Sequence, residues 1–361
     1  MSRHLLATLA IGTTLAACTR PSDVGSPKAS APQKTFKWKL VTTWPKNFPV
    51  LGTAPEQFAK IVEKMSQGRL RIKVYGAGEI VPALEVFDAV SRGTVQMGHG
   101  AAYYWKGKIP EAQWFATVPF GMNAREVNAW LTYGGGLELW TELYRPFGVR
   151  PLPGGNTGTQ MGGWFNKAID SLADVKGLKM RIPGLGGEVF RRAGGTPVLL
   201  PGGEIFTSLQ SGAIDATEWV GPYNDLAFGL HKAAKYYYYP GWHEPGLVLE
   251  LLINDEAMNT LPADLQEIVV TAAGRINQDM LSEYSMRNSE ALNVLVDEHK
   301  VEVRPLPNDV LREYKRLAGE VLSAERDRSA MGKKIYESYM AFQAASRKYY
   351  KVTEDAYQSV R

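Results

Sequence analysis

Two hydrophobic periods alternate along residues 36–100. Phe36, Trp38 and Leu40 share one face of an extended segment with Lys37 and Lys39 between them, which predicts a strand. From Thr53 the period lengthens. Phe58, Ile61, Val62 and Met65 fall on one face of a helix, Thr53 and Glu56 have capping-box spacing, and Gly68 ends it. Residues 70–75 predict a second strand, 83–92 a second helix and 95–98 a third strand, an order that implies a parallel sheet covered by helices. The unit recurs as a strand over 197–200, a helix over 204–211 and a strand over 213–217. Phe87 precedes Gly93 by six residues and His99 follows it by six; Phe206, Gly212 and Glu218 repeat that spacing. The pattern predicts two similar α/β lobes, with His99 and Glu218 reaching a shared crevice from opposite sides, beyond the carboxyl ends of the strands.

Later residues read differently. Residues 262–300 predict a nearly continuous helix, interrupted only at Gly274 and started by Asn259 or Thr260. A short strand follows over 301–305, then two or three amphipathic helices over 308–361. Their Tyr336, Tyr339, Met340, Phe342 and Tyr349 need cover, either from the chain's own body or from a second subunit in a homodimer. At the other end, residues 1–4 are basic, 5–14 are apolar but too short to span a bilayer, and Leu15-Ala16-Ala17-Cys18 resembles a bacterial lipobox. That makes 1–17 an export signal and 18–35 a lipidated cysteine with a flexible tether; the alternative is ordinary cleavage near Ala17. Residues 36–150 are expected mainly in the first lobe and 151–255 mainly in the second. Residues 256–361 then form a helix spanning both, followed by the terminal helices.

Composition narrows the function. The 361 residues suffice for two domains, and the net charge of +4 comes from scattered Lys and Arg with no basic stripe, so nucleic acid is not an expected partner. The single cysteine, Cys18, leaves the exported body without a disulfide. Seventeen Tyr and nine Trp supply a rich core, a ring-walled cleft, or both.

The chemistry-bearing residues cluster between Gly154 and Gly246. Arg181, at a strand end before a turn, can offer its planar fork to a carboxylate or simply form a surface ion pair. Glu218 follows a buried strand and precedes Trp219, so it needs a partner, either Arg181 or a metal ion. Glu244 sits in the turn 240–246, facing a ligand or merely punctuating the chain; Asn156 and Gln160 lie in a glycine-rich segment that a ligand can approach closely. Such oxygen donors suit Na+ or Ca2+. No nucleophile–base pair accompanies them, and no Gly-x-Ser-x-Gly elbow or lysine-bearing phosphate loop occurs. His243-Glu244 lacks a second histidine at metalloprotease spacing, and Tyr236–Tyr239 reads better as a buried strand than as a sugar platform.

The segments GGNTGTQMGGWF, LKMRIP, SGAIDATEWVGPYND and YYYYPGW resemble the extracytoplasmic solute-binding proteins of TRAP transporters, the last two and the first resembling a 2-oxoacid and lactate-binding subgroup. The resemblance implies a two-lobed α/β periplasmic-binding-protein fold with a helical C-terminal region, closing on its ligand by hinge motion, and no enzymatic activity. It assigns Arg181 to the ligand carboxylate. Gln160, the Glu218 side chain and the Trp219 backbone oxygen match positions that hold a bridging Na+ or Ca2+, with Glu244 a further contact. His99, Gly100 and Ala101 match a first-lobe stretch against the substrate, and Asn156 and Tyr103 are further lining candidates. The implied partners are a small organic acid and the transporter's membrane subunits, at the outer face of the cell membrane or in the periplasm. A 2-oxoacid can chelate one cation in a five-membered ring. With Ca2+ the charges of ion, ligand, Arg181, Glu218 and Glu244 cancel, whereas Na+ leaves one negative charge. Two rivals remain: a receptor for another anion (a C4-dicarboxylate, sugar acid or amino acid), and an exported carbohydrate-active enzyme using Glu218 and Glu244.

Overall fold

A computed structural model describes residues 34–361, so the expected export signal, Cys18 and most of the expected tether lie outside the described residues. The strands are β1 (Phe36–Thr42), β2 (Leu70–Tyr75), β3 (Met97–Gly100), β4 (Val149–Asn156), β5 (Gly163–Phe165), β6 (Lys179–Arg181), β7 (Thr196–Val198), β8 (Ala216–Thr217), β9 (Tyr236–Tyr239), β10 (Val248–Asn254) and β11 (Glu302–Pro305). They form two sheets, ordered β2-β1-β3-β10-β4 and β11-β9-β5-β8-β6-β7.

The internal repetition is one of topology. In each lobe three parallel strands come first, β2-β1-β3 in one and β7-β6-β8 in the other. Each trio is then extended by an antiparallel strand, β10 or β5, and by a further strand antiparallel to that one. The strands expected to be parallel are so, and the antiparallel strands added beside them make each sheet mixed. The cause is the chain's route: β4 leaves the first sheet for the second, and after β9 the chain returns as β10. A strand arriving from the other lobe, with no covering helix of its own, enters its sheet from the opposite end. The same route puts the boundary expected at residue 150 inside β4, and returns 248–254 to the first sheet.

Local differences have local causes. Gly52, not Thr53, is the N-cap of the helix Thr53–Met65 and no side chain caps it, so the predicted capping box does not form. The box belongs instead to Asn123 and Glu126, ahead of the helix Ala124–Tyr133. Pairing of β3 with β1 starts at Met97, two residues later than expected, because the turn at Gly93 (φ +70°) carries the chain further. The long helix Ala263–Asn293 runs through Gly274 and starts after Pro262; Asn259 ends a separate short helix.

This long helix packs on β4, on Thr53–Met65 of the first lobe and on the helix Pro222–Phe228 of the second. The tail also binds both lobes. Helix Asn308–Arg326 lies on Gly184–Arg192, while helix Ala330–Val352 lies on the first lobe. Tyr339 is buried there, edge-on to Trp130 at 5.2 Å and Trp114 at 5.7 Å, and its hydroxyl accepts from the Met122 N–H at 2.8 Å. The chain's own body thus covers most of the tail's aromatics, while Tyr349 stays exposed. Tyr237 and Tyr238 are core residues, Tyr237 stacking on Trp164 at 4.0 Å. Among the described residues no helix is long and apolar enough to cross a membrane.

Replacing Tyr339 by Phe leaves the buried Met122 N–H without an acceptor, at a cost of about 1–3 kcal/mol. Chemical denaturation should show that loss, and amide exchange at Met122 should speed up in the variant.

Candidate functional site

Arg181 ends β6 and Glu218 follows β8, its parallel neighbour, so both side chains emerge at the carboxyl ends of adjacent strands. Arg181 Nη1 pairs with Glu218 Oε1, the two side chains being 1% and 0% exposed. Three further hydrogen bonds hold the guanidinium. Nε donates to the Leu200 carbonyl at 3.3 Å, Nη1 also to the Glu218 carbonyl at 3.4 Å, and Nη2 to the Tyr104 hydroxyl at 3.1 Å. The Trp219 ring flanks the group at 5.3 Å. Burial by itself depresses the arginine's pKa, but Glu218 and the neighbouring acidic groups more than reverse this, so the charge is held.

A second group meets the first. The Gln160 N–H donates to the Glu244 carbonyl at 3.1 Å, which joins the loop after β4 to the turn after β9. A Cβ on Gly241 would come within 2.1 Å of the Gln160 carbonyl oxygen, so this junction needs glycine. Glu218, His243 and Glu244 each present a ligand atom, all within 4.8 Å of one another and all buried. Burial first, and Glu218 second, push the Glu244 carboxyl well above its usual range, while a Tyr103 hydrogen bond pulls it back.

The site holds several buried polar atoms with no hydrogen-bond partner. They are Gln160 Oε1, Glu218 Oε2, Glu244 Oε2, Asn156 Nδ2, Trp219 Nε1 and both ring nitrogens of His243. Buried polar groups are normally paired. Carboxylate oxygens of Glu218 and Glu244 within 4.8 Å of each other suit a hard cation, and Gln160 Oε1 is a further buried acceptor without a partner. The donor set therefore fits Na+ or Ca2+.

His99 is corrected. Its Nδ1 accepts from Trp44 Nε1 at 2.8 Å and its Nε2 meets the Gly154 carbonyl at 3.0 Å, so the ring braces the first lobe and has no free atom for a ligand. Burial lowers its pKa to about 4 and keeps it neutral. Six-residue spacing fixed its place at a strand end but could not show that both nitrogens are occupied. Gly100 packs against Thr43 and Trp105, and Ala101 leads into the turn Ala102–Trp105 that carries Tyr103 and Tyr104. Asn156 is buried, its Oδ1 accepting from the Gly158 N–H at 2.8 Å. Sequence reasoning missed Tyr104 and His243. The run Tyr103-Tyr104-Trp105 was the available signal for the first; a motif search for paired histidines obscured the second.

A nearly shut cavity of about 10 Å³, room for about one water, adjoins the cluster. Trp44, Leu51, Thr157, Leu247 and Leu249 line it along with Tyr103, Tyr104, Trp219 and Val220, none of them a cationic side chain.

Residues 40–327 match the family model for bacterial extracellular solute-binding protein, family 7, and the chain belongs to that family. It is 43% identical to the monocarboxylate 2-oxoacid-binding periplasmic protein of a Nostoc species, over 99% of this chain and 98% of that protein. A TRAP periplasmic solute-binding protein from Pseudoalteromonas atlantica, solved with bound sodium and pyruvate, is 44% identical with a TM-score of 0.88, covering 90% of this chain and 99% of that one. Its counterpart from Colwellia psychrerythraea, solved with calcium and pyruvate, is 43% identical with a TM-score of 0.88, covering 91% and 100%.

Two expectations follow from the geometry. Arg181→Met strands a buried Glu218 carboxylate and should cost about 3–5 kcal/mol of stability, much of it restored when Glu218→Met is added. Denaturant midpoints of the two variants and the double variant measure this. The second concerns Glu250, opposite Gly100 in β10, which accepts from Trp105 Nε1 and from the Tyr144 hydroxyl and has its pKa raised to about 8, chiefly by burial. Its folded-state pKa exceeds the unfolded 4.5, so its contribution is full below about pH 4.5 and is lost as pH rises toward about 8. Glu250→Gln should flatten the fall of melting temperature across that window.

Proposed function

We propose that this chain captures a small 2-oxoacid or 2-hydroxyacid of the pyruvate and lactate kind, together with Na+ or Ca2+, and delivers it to the membrane subunits of a TRAP transporter. The observation that carries this reading is the buried pair Arg181–Glu218 with unmatched acceptor oxygens beside it. A carboxylate ligand takes over the guanidinium, and a cation takes the oxygens of Glu218, Gln160 and Glu244 with the Trp219 carbonyl; the cation's chemistry is charge neutralisation and chelation of the acid. Arg181 orients the ligand, and Tyr103, Tyr104, Trp44 and Trp219 exclude water. The relatives solved with pyruvate and sodium or calcium support the same assignment.

The pocket's chemistry argues against the rivals. A dicarboxylate needs a second cationic side chain, and among the described residues Arg181 is the only buried Arg or Lys. A glycosidase needs an open groove between its two carboxylates, whereas Glu218 and Glu244 are both sealed. On the sequence, Cys18 anchors the head to a membrane by a lipid; Cys18→Ser should move the protein from the membrane fraction to the soluble fraction.

The direct test is a thermal shift on chelator-stripped protein given pyruvate, lactate or succinate, with and without Ca2+ or Na+. A ligand at about a hundred times its dissociation constant adds about 2.7 kcal/mol, a shift of several degrees. Pyruvate or lactate should stabilise the protein and a cation should strengthen the effect. A response to succinate alone, indifferent to cations, would sink the proposal.

A further inference from the structure

His243 is the one member of the cluster that the oxygen-only description leaves without a task. Its ring is 1% exposed, and neither nitrogen has a hydrogen-bond partner. Its Nε2 lies 3.6 Å from Glu218 Oε2, the same oxygen that Arg181 leaves free. The residue is held on both sides. Trp242 packs against the ring at 5.4 Å, and a Cβ on Gly186 would come within 2.8 Å of the His243 Cβ, so the helix Gly184–Arg192 presses directly on it. Leaving a buried donor and acceptor unpaired costs about 1–3 kcal/mol each. A rigid imidazole kept unpaired at a carboxylate pair is thus more than a space filler.

We propose that His243 is a nitrogen donor to the bridging cation, and that the site therefore accepts first-row transition-metal ions such as Co2+ and Mn2+ besides Na+ and Ca2+. This rests on the cation-bridged reading of the site. Two carboxylates and one imidazole, with ligand atoms no more than 4.8 Å apart, can surround a single ion. Carboxylates suit hard cations, whereas an imidazole adds affinity for the later first-row metals, with Co2+ bound more tightly than Mn2+. The relatives that carry sodium in one case and calcium in the other belong to a framework that does not enforce one ion.

The test titrates Co2+ into chelator-stripped protein, alone and with pyruvate, and follows the visible absorption of the bound ion; Ca2+ with pyruvate is titrated in parallel by calorimetry. Wild type should bind Co2+, with excess Ca2+ displacing it. His243→Gln should weaken Co2+ by about tenfold or more, and Ca2+ with pyruvate by a clearly smaller factor. Equal Co2+ affinity in wild type and variant, or no Co2+ binding in a wild type that takes Ca2+ and pyruvate, overturns the proposal. If neither Ca2+ nor Na+ supports pyruvate binding, the 2-oxoacid reading fails instead, and Co2+ alone still reads the nitrogen donor. Should the variant not fold, electron spin echo spectra of Mn2+-loaded wild type decide the matter: nitrogen modulation from a bound imidazole is expected, and its absence refutes the assignment.

Discussion

The Arg181–Glu218 ion pair governs how the rest of the site is built. Two charges taken fully out of water are tolerable only when each is paired and hydrogen-bonded. The guanidinium meets that condition, with the Leu200 carbonyl, the Glu218 carbonyl and the Tyr104 hydroxyl around it. The acidic side does not, since Glu218 Oε2 and Glu244 Oε2 stand unpaired in the same enclosed volume. Burial and Glu218 together disfavour ionisation of Glu244, and a cation beside it would let both carboxylates carry their charge. A carboxylate ligand arriving with its own cation can relieve both partners, so the pair acts as a placeholder for the complex.

That arrangement depends on both lobes. β6 and β8 of the second lobe carry Arg181 and Glu218, while Tyr103 and Tyr104 come from the turn after β3 in the first. The lobes also touch at the rim: Phe48 packs against Phe228 at 4.2 Å, and the Asn224 side chain donates to the Pro49 carbonyl at 2.9 Å. Tyr284 of the long helix donates to Asn224 at 2.6 Å, so the helix that spans the lobes reaches this rim contact. The chain crosses between the two sheets after β4 and again before β10.

Periodicity made much of this legible. The strand–helix–strand unit and its repeat were readable because buried parallel strands and amphipathic helices impose periods of their own. Arg181, Gln160, Glu218 and Glu244 stood out because polar side chains at strand ends and in glycine-rich turns are where a fold gathers chemistry, and all four prove buried. What escaped were effects of partners distant along the chain. The antiparallel entry of β10 depends on a route through the other lobe, which no local pattern encodes. His99 stands at the expected strand end, yet Trp44 and Gly154, both remote in sequence, occupy its ring. His243 was passed over because its companions, two glutamates, do not form a spaced motif.

A crystal structure of the protein grown with pyruvate and Ca2+ tests the central claim most directly. The account predicts that Arg181 leaves Glu218 for the pyruvate carboxylate, and that Ca2+ bridges the acid to Glu218, Gln160 and the Trp219 carbonyl. An Arg181–Glu218 pair still intact, with pyruvate bound elsewhere or without a cation, would contradict it.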